Sequence, residues 1–162
     1  MEKKRTFLTI VFMVIFITSY SQAISICKEE ESVPLFKPKG WGKVIPNSEG
    51  QIIYCKEPGK EFRGKIILKG LGANHHYKLS INDKKRPSPG SGKLPYPFND
   101  ETFFDFQDIK TDQQGNCEKQ FTTKDERLPD GKYDVKFFVK DWESEGKPIV
   151  LYNDNIFFTI KK

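Results

Sequence analysis

The sequence predicts an all-β domain, an antiparallel β-sandwich of about seven to eight strands. Three observations carry that expectation. From Gln51 onward, short runs rich in Ile, Val, Phe and Tyr recur roughly every 8 to 15 residues, separated by Gly, Pro, Asn and Asp. The clearest run, Lys132 to Asp141, alternates Tyr133, Val135, Phe137 and Val139 with Asp134, Lys136, Phe138 and Lys140, the period-two pattern of a half-buried strand. No stretch shows a convincing helical period, and no long internal repeat is present.

The chain opens on a different text. Lys3, Lys4 and Arg5 form a basic start, and Phe7 to Ile17 is an apolar run of 11 residues broken only by Thr9. Spanning a bilayer takes about 20 apolar residues, so this run reads as the core of a signal peptide. Ser21-Gln22-Ala23 places small residues at the two positions a signal peptidase reads, which predicts residues 1–23 as a leader and Ile24 as the mature start. The predicted location is therefore secreted or periplasmic. Ile24-Ser25-Ile26-Cys27 partly resembles a lipobox, but Ile26 stands where that pattern wants a small residue. Membrane attachment is expected only if the leader stays uncleaved or Cys27 is acylated.

Residues 24–50 carry Pro34, Pro38, Pro46, Gly40 and Gly42, with Trp41 held between two glycines. They read as an irregular N-terminal arm, and 51–162 as the sandwich domain. In the latter the predicted strands are Gln51 to Cys55, Arg63 to Lys69, Tyr77 to Asn82, Thr102 to Ile109, Glu118 to Thr123, Lys132 to Asp141, Ile149 to Tyr152 and Ile156 to Ile160. Turns are expected at Asp112-Gln113-Gln114-Gly115, at Leu128-Pro129-Asp130-Gly131, where Pro129 presets φ, and at Asn153-Asp154-Asn155.

FDFQDIKTDQQGNCEKQFTTKDERLPDGKYDVKFFVKD resembles the second half of extracellular immunoglobulin-like or fibronectin-type-III-like modules, where a strand, a turn and a strand lead into "LP.G.Y.V". Transthyretin-like modules carry a similar text. The resemblance implies an immunoglobulin-like sandwich in which Tyr133 occupies the position of a tyrosine corner.

Charge and motif content narrow the function classes. Of 27 basic and 22 acidic side chains, the leader takes Lys3, Lys4, Arg5 and Glu2, leaving a small, interspersed basic excess that does not point to nucleic acid. His75 and His76 are the only histidines. Adjacent strand residues face opposite sides, so the pair shares a metal only on irregular backbone, and no three-histidine site is possible. Neither Cys55 nor Cys117 lies in a nucleophile motif, and the many carboxylates show no calcium-loop spacing. No cofactor and no catalytic set is expected.

Cys27, Cys55 and Cys117 allow one disulfide outside the cytoplasm, expected between Cys55 and Cys117 because both adjoin strands. Asp83 to Glu101 is a 19-residue connection with four prolines, two glycines, the basic triplet Lys84, Lys85, Arg86, and the aromatics Tyr96 and Phe98. Connections of that length tend to carry function. The expected function is a non-enzymatic binding or structural module recognising a protein or glycan outside the cytoplasm, with those five side chains as the partner-binding set. Trp41 and Trp142 are the next places to look. The alternatives are a secreted enzyme of unrecognised type, or a small-ligand or metal carrier using His75 or His76.

Overall fold

A computed structural model describes residues 25–83, 104–124 and 128–162. It contains eight strands: β1 (Glu30–Leu35), β2 (Glu49–Cys55), β3 (Arg63–Lys69), β4 (His76–Asp83), β5 (Phe104–Lys110), β6 (Cys117–Thr122), β7 (Gly131–Asp141) and β8 (Ile149–Ile160). No helix occurs among the described residues. The strands form two four-stranded antiparallel sheets, ordered β1-β2-β3-β6 and β5-β4-β7-β8. They face one another across a single apolar core, so the molecule is a β-sandwich.

The alternation in β7 does what the sequence predicts. Val135, Phe137 and Val139 are buried in the core and Tyr133 packs against it. Phe138, the residue that breaks the alternation, is buried on the opposite face of the strand, making β7 apolar on both sides at its middle. In β5, the register slips by one residue opposite Leu79/Ser80. That bulge reverses the facing of the chain, and so Phe104 and Phe106 on one side of it and Ile109 on the other all meet the same core.

Two expected boundaries change. Asn153-Asp154-Asn155 is not a turn between strands. β8 runs on from Ile149 to Ile160 with register shifts against β7, and an extra residue is accommodated where Asn155 N donates to Asn153 Oδ1 at 2.7 Å. The stretch read as an irregular arm contains β1, whose residues Glu30 to Leu35 pair with Cys55 to Gly50 of β2. Its sequence, EESVPL, lacks an alternating pattern and holds Pro34, which an edge strand tolerates because one side of its ladder is unpaired.

The disulfide expectation is corrected as well. Cys55 bonds to Cys27, with Cα atoms 6.0 Å apart, and Cys117 is free. The sheet order gives the reason. Cys117 stands opposite Leu68 of β3, and Leu68 opposite Gly50 of β2, five residues from Cys55 along that strand. At about 3.3 Å per residue this offset is far beyond the roughly 7 Å a disulfide can bridge. Cys55 instead faces Glu30 at the start of β1, which brings Cys27 to it.

Candidate functional site

After Leu35 the chain leaves the edge of one sheet and crosses to the edge of the other. Phe36 exchanges two backbone hydrogen bonds with Tyr152 of β8, at 2.7 and 2.9 Å, and Lys43 N donates to Ile149 O at 2.8 Å. Between these anchors lies Lys37-Pro38-Lys39-Gly40-Trp41-Gly42. Both glycines have positive φ, 75° and 70°, which forces the chain into a reversal that other residues adopt only under strain. A Cβ on Gly40 would meet nothing within 4 Å, whereas one on Gly42 would lie 2.5 Å from Ile149 O. The turn therefore stands clear of the molecule at Gly40 and presses onto β8 at Gly42, with Trp41 between.

This crossing gathers three aromatic rings. Tyr152 lies 4.9 Å from Trp41 and 6.1 Å from Phe36, centroid to centroid, with interplanar angles of 58° and 61°. Phe36 and Trp41 remain 48% and 44% exposed, and Val44, three residues further along the chain, 55%. Tilted rings leave their faces and edges open on one surface, a form of apolar contact area with little conformational freedom to lose on binding.

A polar cluster fastens the crossing from below. Lys43 Nζ lies 2.7 Å from Asp141 Oδ2, whose side chain is 1% exposed. Asp141 also accepts hydrogen bonds from Ser144 N (3.1 Å) and Ser144 Oγ (2.7 Å), and its Oδ1 sits 2.6 Å from His75 Nε2. Burial alone pushes the Asp141 carboxyl up, but the hydrogen bonds from His75, Lys43 and Ser144 outweigh it and hold the group well below the usual carboxylate range. His75 Nδ1 is in turn 2.8 Å from Glu143 Oε2. One buried carboxylate thus joins the crossing, the end of β7 and the residue that leads into β4.

No protein-family model matches the chain, and no curated protein matches it.

Lys84, Lys85, Arg86, Tyr96 and Phe98 lie outside the described residues. His75 and His76 diverge: His75 is held between Asp141 and Glu143, and His76 Nε2 lies 2.9 Å from Asp108 Oδ1. Carboxylates beside both histidines are what the metal-carrier alternative expects, yet among the described residues no group of three or more His, Cys, Asp or Glu is placed to hold a metal ion. Cys55 is in the disulfide, and burial pushes the Cys117 thiol up, away from the thiolate that a nucleophile needs. Trp142 is neither core nor free surface, because the ammonium groups of Lys78 and Lys147 lie 3.9 and 3.7 Å from the centre of its ring. Trp41, flagged by its flanking glycines, is in the cluster. Phe36 and Tyr152 were missed, since nothing local in either segment announces a contact across 116 residues of chain.

Proposed function

We propose that the chain is an exported, non-enzymatic binding module of immunoglobulin-like type that recognises its ligand by surface contact. The observation that carries this reading is the cluster of exposed Phe36 and Trp41 with half-buried Tyr152, on a backbone fixed to β8 at both ends. Aromatic anchors on a rigid framework are the common form of recognition without chemistry. Two further features support the type and the compartment. Tyr133 Oη donates to Pro129 O at 2.7 Å near the start of β7, a bond of the kind a tyrosine corner makes. The Cys27–Cys55 disulfide suits an oxidising compartment.

Capture from the native envelope fraction tests the reading. Immobilised processed protein is expected to retain a specific component that the Phe36→Ala/Trp41→Ala double variant does not retain, while a Lys136→Asp control still does. If the double variant captures the same component equally well, recognition does not run through this surface.

A further inference from the structure

From the basic and aromatic make-up of the same surface, we infer that it docks on an anionic phospholipid bilayer. The inference rests on the reading of residues 36–44 as the recognition surface and names what that surface meets.

Among the described residues four large apolar side chains are exposed, and three of them, Phe36, Trp41 and Val44, fall within nine consecutive positions. The same nine positions hold Lys37, Lys39 and Lys43, and no Asp or Glu occurs from Ser32 to Ser48. Apolar and cationic side chains therefore alternate along one short segment. Lys43 is neutralised by Asp141, and Lys37 donates to Pro46 O. Among the described residues neither Lys37 nor Lys39 is paired with a carboxylate, so the segment presents two uncompensated positive charges beside its rings.

That combination fits the boundary between headgroups and acyl chains. Tryptophan and tyrosine favour this layer because an apolar ring enters the hydrocarbon margin while its polar edge stays hydrated. Lysine lays its alkyl stem on the apolar surface and reaches the lipid phosphates with its ammonium group. Gly40 has open space around it, and the bonds of Phe36 and Lys43 to β8 hold the turn in shape before contact. A partner that inserts an anchor of its own would instead engage a concavity. Two clefts of the described surface lie elsewhere, one at the β3–β6 end around Lys69, Thr111 and Cys117, the other on the outer face of β1 to β3 around Pro34 and Gln51. Docking of this kind needs neither an uncleaved leader nor an acyl chain. With only two lysines that lack a carboxylate partner and three apolar side chains it is weak, reversible and salt-sensitive.

Co-sedimentation of the processed protein with vesicles tests the inference, using phosphatidylcholine alone and phosphatidylcholine mixed with phosphatidylglycerol. Binding is expected on the mixed vesicles and to fall with added salt. Trp41→Ala should weaken it by at least about tenfold, since burying a ring of that size is worth more than one decade of affinity. Lys37→Gln and Lys39→Gln should each weaken it by about fivefold on the anionic vesicles alone. In a Trp142→Phe background, which leaves Trp41 as the only tryptophan, brominated lipid should quench the remaining fluorescence. Absence of binding to the mixed vesicles, binding that Trp41→Ala does not change, or unquenched Trp41 each overturns the inference. If the vesicles fail but capture from the envelope fraction still depends on Phe36 and Trp41, the ligand is a protein or glycan and only the lipid assignment falls. If neither depends on them, the surface is not a recognition site at all.

Discussion

Phe36 and Tyr152 exchange a reciprocal pair of backbone hydrogen bonds, 2.7 and 2.9 Å long, and bring their rings to 6.1 Å. This contact carries the chain from β1 over to β8, and it makes the aromatic surface a property of the fold rather than of a loose connection.

Gly42 sets the position of Trp41. With φ at 70° and room for no Cβ beside Ile149 O, Gly42→Ala should cost about 1 to 2 kcal/mol or force the turn off β8. Thermal denaturation and tryptophan emission would report it, as a lower Tm together with a red-shifted spectrum. Gly40→Ala, which meets the same backbone strain but no steric contact, should cost less.

Asp141 joins three segments from a buried position, so Asp141→Asn should destabilise the fold by about 2 to 3 kcal/mol, less than for a fully buried pair because Lys43 is itself half exposed. The pH dependence follows from the direction of the shift. A carboxyl held below its unfolded value contributes stability that is fully present above the ordinary carboxylate pKa of about 3.9 and is lost as pH falls through the folded value. Chemical denaturation from pH 6 down to pH 2 should show the parent losing stability faster than Asp141→Asn. Parallel curves would contradict the role given to Asp141.

The facing of β7 is tested by a neighbouring pair. Val135 is 2% exposed and in the core, and Lys136 points the other way. Val135→Asp buries an unpaired carboxylate at a cost of several kcal/mol, whereas Lys136→Asp should change stability by less than about 0.5 kcal/mol. Equal melting temperatures for the two variants would refute the assignment.

Peptide mapping without reduction should yield a Cys27–Cys55 crosslink and an unmodified Cys117. In the chain-entropy model, closing a loop with a separation of 28 residues stabilises the fold by about 3.5 kcal/mol. Cys27→Ser should therefore lower the unfolding free energy markedly, while Cys117→Ser leaves it nearly unchanged. A peptide joining Cys55 to Cys117 would contradict the sheet order described above.

The strands that were legible in the sequence are those with one clean face. Tyr77, Leu79 and Ile81 in β4, and Val135, Phe137 and Val139 in β7, alternate because one side of each strand meets the core. β1 was hidden because an edge strand with Glu30, Glu31 and Pro34 has little apolar burial to advertise. The bulge in β8 looked like a turn because Asn and Asp favour both structures. The disulfide was misread for a related cause: adjacency to strands says nothing of which strands are neighbours, and β3 separates the two cysteines first paired. At the site, Trp41 between two glycines was visible as an oddity. Its partners were not, since the Phe36–Tyr152 contact exists only once β1 and β8 have taken their places on the same side of the sandwich.

Residues 36–44, with Tyr152, are proposed as the surface through which this protein binds. Amide hydrogen exchange of the protein, alone and in the presence of an envelope fraction of its own cells, tests it most directly. Added protection is expected in 36–44 and 149–153, with the β3–β6 end unchanged. Protection confined to other segments, with 36–44 exchanging as fast as in the free protein, would contradict the claim.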